Sequence, residues 1–383
     1  MKRLYLKEEQ CCGCTACASV CTHDAIQMVP DDKGFSYPII DNNKCIDCGA
    51  CTIVCNFRKN YKRYGKFIEI QIYGARSNKK EELELSQTGA LSSSIIQLFL
   101  KKPGVVYGAL YNEKHEVIHK RATTSKECEP FRGSKYIQSN LNDIFLEVKT
   151  DLKNGLRVLF FGTPCQISGL KSYLPLNLHH DLLVVDLICH SISSPKVWKE
   201  YLNYLEKKYH SSIQKANLRD KKFGWHVCAE SYQFENGKQI ISTSYDFLYF
   251  THLITRPSCT NCPFTNLKRV GDITIGDFWG WEKHHNDWND LKGVNLLIIN
   301  TEKGDVFFNS LKNSVDYIQS EVNECVQPQL KEPIKTNPNQ DSFFGDFNKF
   351  GFEYVGKKYG NMGLWFRTKS SIKRIQNIIK DYL

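Results

Sequence analysis

The sequence of 383 residues lacks the marks of several common protein classes. No apolar run approaches the roughly 18 residues that a membrane-spanning helix needs. The opening segment, MKRLYLKEEQ, contains no apolar core of an export signal, so we expect a cytoplasmic protein without a transmembrane span. No G-x-G-x-x-G follows a strand-like run, and no G-x-x-x-x-G-K is followed by Ser or Thr. These absences argue against a Rossmann-bound nicotinamide and a P-loop nucleotide.

Cysteine, in contrast, is abundant, with 16 residues in the chain. Because cytosolic thiols are kept reduced, metal binding explains these cysteines better than disulfides do. The net charge of +10 favours an acidic partner, such as a ferredoxin or flavodoxin, or an anionic substrate. A nucleic-acid partner is not expected, since no binding motif is present and basic residues are mostly interleaved with acidic ones.

Two runs of cysteines near the start share the spacing C-x2-C-x2-C-x3-C. This is the bacterial ferredoxin repeat, in which three cysteines bind one 4Fe–4S cluster and the fourth binds the other cluster. We therefore predict a dicluster domain over residues 1–62. Its ligands are Cys11, Cys14 and Cys17 with Cys55 for the first cluster, and Cys45, Cys48 and Cys51 with Cys21 for the second.

Some residues of these repeats stand apart from the ligands. Cys12 falls outside the spacing, and we interpret it as a bystander. Thr22 and Asn56 occupy the position after the fourth cysteine, where the repeat usually has proline. Gly13 and Gly49 suit a backbone that passes close to inorganic sulfide.

From about residue 67, strand-like and helix-like segments alternate. The runs RVLFFG and LLVVDLI predict buried strands, and a turn with a cysteine follows each, at Cys165 and Cys189. The segment SCTNCPF adds Cys259 and Cys262. Because turns at the carboxyl ends of such strands carry the sites of α/β proteins, these thiolates could form a third 4Fe–4S site or a zinc site. The alternative is that Cys165 and Cys189 are small buried hydrophobic residues.

Two further segments suit an anionic cofactor. LSQTGALSSSIIQLFL begins with small and hydroxylic residues and continues with helical spacing, and a helix start can bind phosphate. FRGSKYIQSN combines basic and hydroxylic residues around a glycine. The alternatives are an ordinary capped helix and a basic surface turn.

Six motifs in this order resemble the family of beta subunits of coenzyme F420 hydrogenases and dehydrogenases, here with an N-terminal dicluster ferredoxin domain. They are SQTGALSSSI, FRGSKYIQS, GTPCQISGL, DLICHSISSP, SCTNCPF and GDITIGDFWG. The resemblance implies an iron–sulfur flavoprotein that uses FAD and passes electrons between clusters and a two-electron acceptor. It also implies that Cys165, Cys189, Cys259 and Cys262 bind one 4Fe–4S cluster beside the flavin.

The resemblance further implies which residues contact the flavin. For catalysis, we predict His190 or Lys135 as the proton donor and Asp277 as the residue that orients the flavin ring. The alternative for His190 is a hydrogen bond to a sulfur or a carbonyl group. The predicted flavin-binding residues are Ser86, Thr88, Gly89, Ser134, Lys135, Tyr136, Thr163 and Gly276.

We therefore expect an α+β multidomain protein. The dicluster domain is followed by a mixed α/β flavin and iron–sulfur oxidoreductase domain over residues 67–325 and a mostly helical extension over residues 326–383. The last segment, WFRTKSSIKRIQNIIKDYL, predicts an amphipathic helix that packs on its own domain or contacts a membrane surface.

The expected function is that of a flavin- and iron–sulfur-dependent oxidoreductase. Electrons pass from a low-potential, ferredoxin-type donor through the 4Fe–4S clusters to FAD, and then as a hydride to a small organic substrate, for example a sugar-type molecule. The alternatives are an electron-relay subunit of a larger redox complex, an F420-type deazaflavin oxidoreductase, and a zinc-binding interaction module.

Overall fold

The computed structural model describes residues 2–288, 290 and 292–363. The amphipathic helix predicted at the end of the chain lies outside these residues. The strands are β1 (Lys2–Arg3), β2 (Ile26–Pro30), β3 (Ser36–Ile40), β4 (Phe67–Ser77), β5 (Val105–Tyr111), β6 (Val117–Ala122), β7 (Val158–Gly162), β8 (Leu182–Leu187), β9 (Ile213–Asn217), β10 (Glu230–Phe234), β11 (Gln239–Ser242), β12 (Ile273–Asp277), β13 (Asn295–Thr301) and β14 (Val315–Ser320). The α-helices are α1 (Ala16–Ser19), α2 (Ala50–Val54), α3 (Lys80–Leu85), α4 (Leu91–Phe99), α5 (Ile144–Lys153), α6 (Pro164–Tyr173), α7 (Pro195–Tyr209), α8 (Ser244–Phe250), α9 (Glu302–Leu311), α10 (Val322–Cys325) and α11 (Gln340–Lys358).

The two cysteine runs fold as two copies of one loop followed by a short helix. In the first copy, the backbone is left-handed at Gly13 (φ 69°) and Thr15 (φ 66°). The equivalent residues of the second copy, Asp47 (φ 53°) and Gly49 (φ 74°), repeat this conformation. α1 and α2 follow these turns, and β1, β3 and β2 form a small antiparallel sheet. This is the ferredoxin-like arrangement that the cysteine spacing predicts.

An eight-stranded mixed sheet forms the body of the chain, in the order β14-β4-β13-β12-β8-β7-β5-β6. β12, β8, β7 and β5 run parallel to one another, and antiparallel strands flank them on both sides. α4 and α9 cover one face through Ile95 and Phe308, whereas α5 and α6 cover the other through Phe145 and Leu170. Strands that are buried on both faces consist of largely continuous apolar residues, and β7 and β8 have this composition. The mixed α/β architecture predicted for this part of the chain is confirmed.

β11, β10 and β9 form a separate sheet whose core is rich in aromatic residues. Trp198 of α7, Tyr245 of α8 and Phe343 of α11 pack in this core with Tyr232 of β10. α11 therefore shares a core with residues that precede position 326, and the division of the chain into three domains stays a prediction. Within the described residues, no helix has both the length and the apolar character needed to cross a bilayer.

Candidate redox site

The carboxyl ends of three parallel strands bring the predicted site residues to one edge of the main sheet. β7 leads into Cys165 in the first turn of α6, and β8 leads into Cys189. β12, which pairs with β8 in parallel, ends at Asp277. This edge is where open α/β sheets place their ligands.

The four cysteines of the middle of the chain line one small pocket at this edge. Cys165 and Cys189 come from the strand ends, and Cys259 and Cys262 come from a 3-10 helix at Pro257–Asn261 and the residue after it. Burial raises the pKa of Cys259 and of Cys262 to about 12, and it also raises the pKa of Cys189.

This pocket suits a metal cluster by its donor set. Metals bind the thiolate form of cysteine, and the positive charge of iron stabilises thiolates that burial alone disfavours. Four cysteines are the usual ligands of a 4Fe–4S cluster. Among the described residues, no three His, Cys, Asp or Glu side chains converge on the position of a single metal ion.

Cys12 also lines this cysteine pocket, although the spacing favoured a bystander. Its thiol lies near the thiols of Cys14 and Cys165. The neighbouring thiols of Cys14 and Cys165 raise the pKa of Cys12, whereas interaction with Cys12 is the largest influence that lowers the pKa of Cys165, to about 7. The Thr163 hydroxyl lies 3.2 Å from the Cys165 sulfur and lowers its pKa further. The pocket therefore holds a fifth thiol.

The predicted ligands of the first cluster also lie close together. Burial raises the pKa of Cys17, and the neighbouring Cys14, Cys11 and Cys55 raise it further. Cys55 comes from the second repeat, as the ferredoxin pattern requires. In the second repeat, Cys48 is exposed to solvent. Cys55 is also exposed, whereas Cys11, Cys14 and Cys17 pack against the hydrophobic cores of the chain. The first loop therefore faces the body of the chain, and the second loop faces outward.

A cavity of about 580 Å³ adjoins the cysteine pocket. Its volume lies in the range of cofactor and small-molecule sites. Thr163, Cys165, Cys189 and His190 line both spaces. Gly89 is not among the lining residues. The predicted residues that line this main cavity are Ser86, Thr88, Ser134, Lys135, Tyr136, Thr163, Gly276, Asp277 and His190.

Gly89 instead lies behind the cavity wall, where its lack of a side chain allows close packing. A Cβ at this position would lie 2.6 Å from the Ala75 carbonyl and 2.8 Å from the Asn295 side-chain oxygen. The Asn295 amide donates to the Thr88 hydroxyl (2.7 Å) and to the Gly276 carbonyl (3.1 Å). Its oxygen accepts from the backbone N–H of Leu91 at the start of α4 (3.1 Å). Asn295, which sequence reasoning missed, joins two of the predicted flavin-binding segments.

Lys135 is the main cationic candidate in the cavity wall. Its ammonium donates to the carbonyl oxygens of Phe131 (3.2 Å), Arg132 (2.8 Å) and Gly133 (3.3 Å). Burial lowers the pKa of Lys135 to about 7. The neighbouring Arg132 is engaged elsewhere, because its guanidinium binds the carboxylate of Glu82 at 2.9 Å.

Asp277 is paired with a cation that sequence reasoning did not identify. Arg219 donates to the Asp277 carboxylate and to the Trp225 carbonyl. Arg219 lines the main cavity, and its side chain is almost fully buried. Nothing in the surrounding NLRDKKF segment distinguishes this arginine from a surface residue, so only the fold places it here.

His190 takes part in a chain of hydrogen bonds. The Gln329 amide nitrogen lies 2.7 Å from His190 Nδ1, and His190 Nε2 lies 3.1 Å from His252 Nε2. Since an amide nitrogen only donates, Nδ1 accepts and Nε2 carries the proton of His190. His252 Nδ1 then donates to the Lys335 carbonyl (3.1 Å). Burial lowers the pKa of His190 to about 4, so the ring is neutral at neutral pH. These hydrogen bonds engage both ring nitrogens of His190 and favour a structural role for this residue. Its catalytic role stays a prediction.

Two families match the chain. Residues 10–59 match the 4Fe-4S dicluster domain, and residues 155–324 match the family described as the C terminus of the coenzyme F420 hydrogenase/dehydrogenase beta subunit. The chain is therefore similar to the family of coenzyme F420 hydrogenase/dehydrogenase beta subunits over residues 155–324. The resemblance inferred from the six motifs is confirmed, together with the N-terminal dicluster domain.

Known proteins of similar sequence agree with this assignment. One F420H2 dehydrogenase subunit, from Methanosarcina mazei, is 21% identical over 91% of this chain and 95% of its own length. The coenzyme F420-dependent sulfite reductase of Methanocaldococcus jannaschii is 22% identical over 90% of this chain, which spans 60% of that protein. Both relatives are named as oxidoreductases or their subunits, and this chain shares with iron–sulfur proteins the 4Fe-4S dicluster domain.

A solved structure is also similar. A chain of the F420-reducing NiFe hydrogenase complex of Methanosarcina barkeri aligns with a TM-score of 0.46 and 18% identity, over 77% of this chain and 92% of that chain.

Proposed function

We propose that the protein is an electron-relay oxidoreductase that connects its iron–sulfur clusters to a flavin in the main cavity, with coenzyme F420 as the two-electron partner. The observation that carries this proposal is the wall shared by the cysteine pocket and the main cavity. Cys165 and Cys189 border both spaces. A cluster bound by these cysteines would lie next to whatever occupies the cavity.

A flavin is the cofactor class that this arrangement needs. When bound, a flavin exchanges single electrons with iron–sulfur clusters and electron pairs with a hydride carrier. FAD is the flavin we propose, because the cavity has the volume of a cofactor site and a cationic group in its wall.

The residues of the chain would hold and orient this cofactor. The Lys135 ammonium, fixed by three carbonyl oxygens, would attract a phosphate group at pH values below about 7, where it is charged. Asn295 holds the Thr88 and Gly276 segments together, so it would position both against the flavin. The ion pair of Arg219 with Asp277 would place fixed opposite charges in the wall of the cavity that holds the flavin.

The relatives favour F420 over an organic substrate as the partner in hydride exchange. One relative is named as part of an F420H2 dehydrogenase, and the other is named as an F420-dependent sulfite reductase. Neither name supports a sugar-type substrate or a ferredoxin or flavodoxin partner. We therefore propose that the electrons pass between F420 and a partner subunit, which fits the relay alternative better than an enzyme with its own organic substrate.

The first test is the content of iron, zinc and acid-released flavin of protein purified without oxygen. We expect about twelve irons and one FAD per chain, which corresponds to three clusters of four irons. Reduced F420 should then reduce the clusters, as followed by the loss of their visible absorbance. A chain with about eight irons, one zinc and no flavin would contradict the proposal, because the middle cluster and the flavin would both be missing.

A further inference from the structure

Arg256 is a buried cation without a carboxylate partner. It is one of three buried arginines in the described part of the chain, with Arg219 and Arg269. Arg219 pairs with Asp277, and Arg269 pairs with Asp186. Arg256 is 0% exposed, yet no Asp or Glu of the described residues forms an ion pair with it. Because a charge is costly to bury without a counter-ion, another kind of anion must balance this guanidinium.

Most contacts of the Arg256 guanidinium are with neutral groups. Nε donates to the Cys11 carbonyl (2.9 Å), and the terminal nitrogens donate to the Gln138 side-chain oxygen (2.7 Å) and to the Ser36 carbonyl (3.0 Å). The guanidinium carbon lies 4.2 Å from the centre of the Tyr37 ring. These partners satisfy the N–H donors, but they carry no charge that would balance the cation.

One contact of Arg256 involves a group that becomes anionic when a cluster is bound. A terminal nitrogen of the guanidinium lies 3.9 Å from the sulfur of Cys11, a predicted ligand of the first cluster. Metals bind the thiolate form of cysteine, so the first cluster would place a charged sulfur here. A 4Fe–4S cluster with four thiolate ligands is an anion as a whole. The first cluster can therefore supply the counter-ion that Arg256 lacks.

The backbone of Arg256 also borders the middle cluster, which is the one predicted in the cysteine pocket. Its carbonyl accepts from the N–H of Cys259 (3.0 Å), and its own N–H donates to the Ile192 carbonyl (2.9 Å), close to Cys189 in the chain. The side chain extends to the first cysteine loop, where a Cβ at Gly13 would lie 3.1 Å from a terminal nitrogen. Arg256 therefore joins the two predicted cluster positions.

We propose that Arg256 is the buried counter-ion of the first cluster and that its charge raises the reduction potential of this cluster. The inference requires the first cluster alone, so it is independent of the flavin and of the middle cluster. An electron that enters the cluster adds one negative charge to it. A cation beside the cluster therefore stabilises the reduced form more than the oxidised form. Because Arg256 is fully buried, solvent ions screen this interaction only weakly.

The test compares Arg256→Gln, Arg256→Lys and, as a control, Arg157→Gln in the full-length protein with its clusters. Arg256→Gln removes the charge but keeps N–H donors, whereas Arg256→Lys keeps the charge but loses the planar fork of donors. Arg157 directly precedes β7, at the opposite end of this strand from the site, and its guanidinium lies over the Phe99 ring (4.4 Å). The control thus removes the same charge far from the clusters.

Iron content and the reduction potential of each cluster are measured for every protein. The clusters are titrated with dithionite, which is oxidised as it gives one electron to each cluster, and no bond of the protein forms or breaks. Electron paramagnetic resonance follows the reduced clusters. The signal of the first cluster is identified as the one lost in Cys14→Ser, which removes one of its predicted ligands.

We expect Arg256→Gln to lower the potential of the first cluster. At a fixed solution potential, the ratio of reduced to oxidised first cluster should fall roughly 10- to 100-fold, because the reduced form loses its counter-ion. The potential of the second cluster, whose predicted ligand Cys48 is exposed, should stay nearly unchanged. Arg256→Lys and Arg157→Gln should both lie close to the wild type.

The charge of Arg256, rather than its hydrogen bonds, is what the lysine variant isolates. If Arg256→Gln loses about four irons or does not fold while Arg256→Lys keeps the first cluster at its wild-type potential, the inference is supported as well, since the charge is then needed to hold the cluster. It is overturned if Arg256→Gln keeps the wild-type potential, or if Arg256→Lys changes as much as Arg256→Gln. A wild-type protein without the middle cluster and the flavin would contradict the proposed function, but the same comparison at the first cluster would still decide this inference.

Discussion

The two cysteine loops of the dicluster domain share their spacing and their backbone conformation, but they lie in opposite environments. A Cβ at Gly13 in the first loop would lie 2.6 Å from the Gln138 side chain, whereas a Cβ at Gly49 in the second loop would meet nothing within 4 Å. Cys12 is buried in the first loop, and Cys48 is exposed in the second. The same motif therefore produces one inner loop and one outer loop.

This difference shows that a ligand motif and a role in electron transfer have separate physical origins. The spacing of the cysteines decides which thiols can surround a cluster. The packing of each loop decides whether its cluster faces the cysteine pocket or an external partner. We expect electrons to enter or leave the protein at the outer loop and to reach the cavity through the inner loop.

The largest effect should come from removing one ligand in each loop at equivalent positions, Cys14→Ser and Cys48→Ser. Each should lose about four irons. Cys14→Ser should also change the potential of the middle cluster and slow electron transfer into the cavity by roughly 100-fold, because Cys14 packs against Gly169 of α6, the helix that carries Cys165. Cys48→Ser should leave that potential unchanged.

Iron analysis and redox titration of the two variants measure these effects, with Cys325→Ser, a buried cysteine outside the site, as the control. Equal shifts of the middle-cluster potential in Cys14→Ser and Cys48→Ser would contradict the distinction between an inner and an outer loop.

Alanine at the two glycines tests the same contrast through stability. Gly13→Ala introduces a left-handed alanine and a close contact with Gln138, so we expect it to lower the free energy of unfolding by roughly 2–4 kcal/mol. Gly49→Ala introduces only the backbone strain, about 1–2 kcal/mol. Denaturant unfolding of the protein with its clusters measures both values. If Gly49→Ala lowered the free energy of unfolding as much as Gly13→Ala, the first loop would not be packed as described.

The residue after the fourth cysteine offers a third comparison. Asn56 is buried, and its amide donates to the Ser168 hydroxyl of α6 (2.7 Å) and to the Lys62 carbonyl (2.9 Å). Asn56→Ala should therefore cost about 1–3 kcal/mol, because Ser168 and Lys62 lose a buried partner. Thr22→Ala, at the equivalent exposed position, should change stability by less than about 0.5 kcal/mol. The same unfolding measurement distinguishes the two variants. Equal decreases in the free energy of unfolding would show that Asn56 does not anchor the dicluster domain to α6.

The smallest effect is expected at the surface of the outer loop. Ile53 is 76% exposed, so Ile53→Ser should alter the free energy of unfolding by no more than about 0.5 kcal/mol and leave all cluster potentials unchanged. The neighbouring Val54 is 5% exposed, and Val54→Ala should cost about 1–3 kcal/mol. A large decrease in the free energy of unfolding for Ile53→Ser would indicate that the outer loop is packed rather than exposed.

Local patterns in the sequence were enough to predict much of this protein. The cysteine repeats, the buried strands before Cys165 and Cys189, and the family motifs all depend on residues close together in the chain. Short-range geometry decides how three thiols surround a cluster and how an apolar run forms a strand. These features could be identified because the residues that cause them are neighbours in sequence.

Tertiary structure alone decided the partners of single polar side chains. Arg219, Asn295 and Arg256 belong to segments without any motif, and each contacts residues far away along the chain. Their hydrogen bonds depend on the fold, which brings these distant segments together.

The case of Cys12 shows the same limit within a recognised motif. By sequence it was an extra cysteine outside the repeat, and its closeness to Cys165 arises from the packing of the first loop on α6. The sequence by itself determined which cysteines can form clusters, since their spacing is a local property. The fold determined which clusters are neighbours, since that depends on contacts between segments distant in the chain.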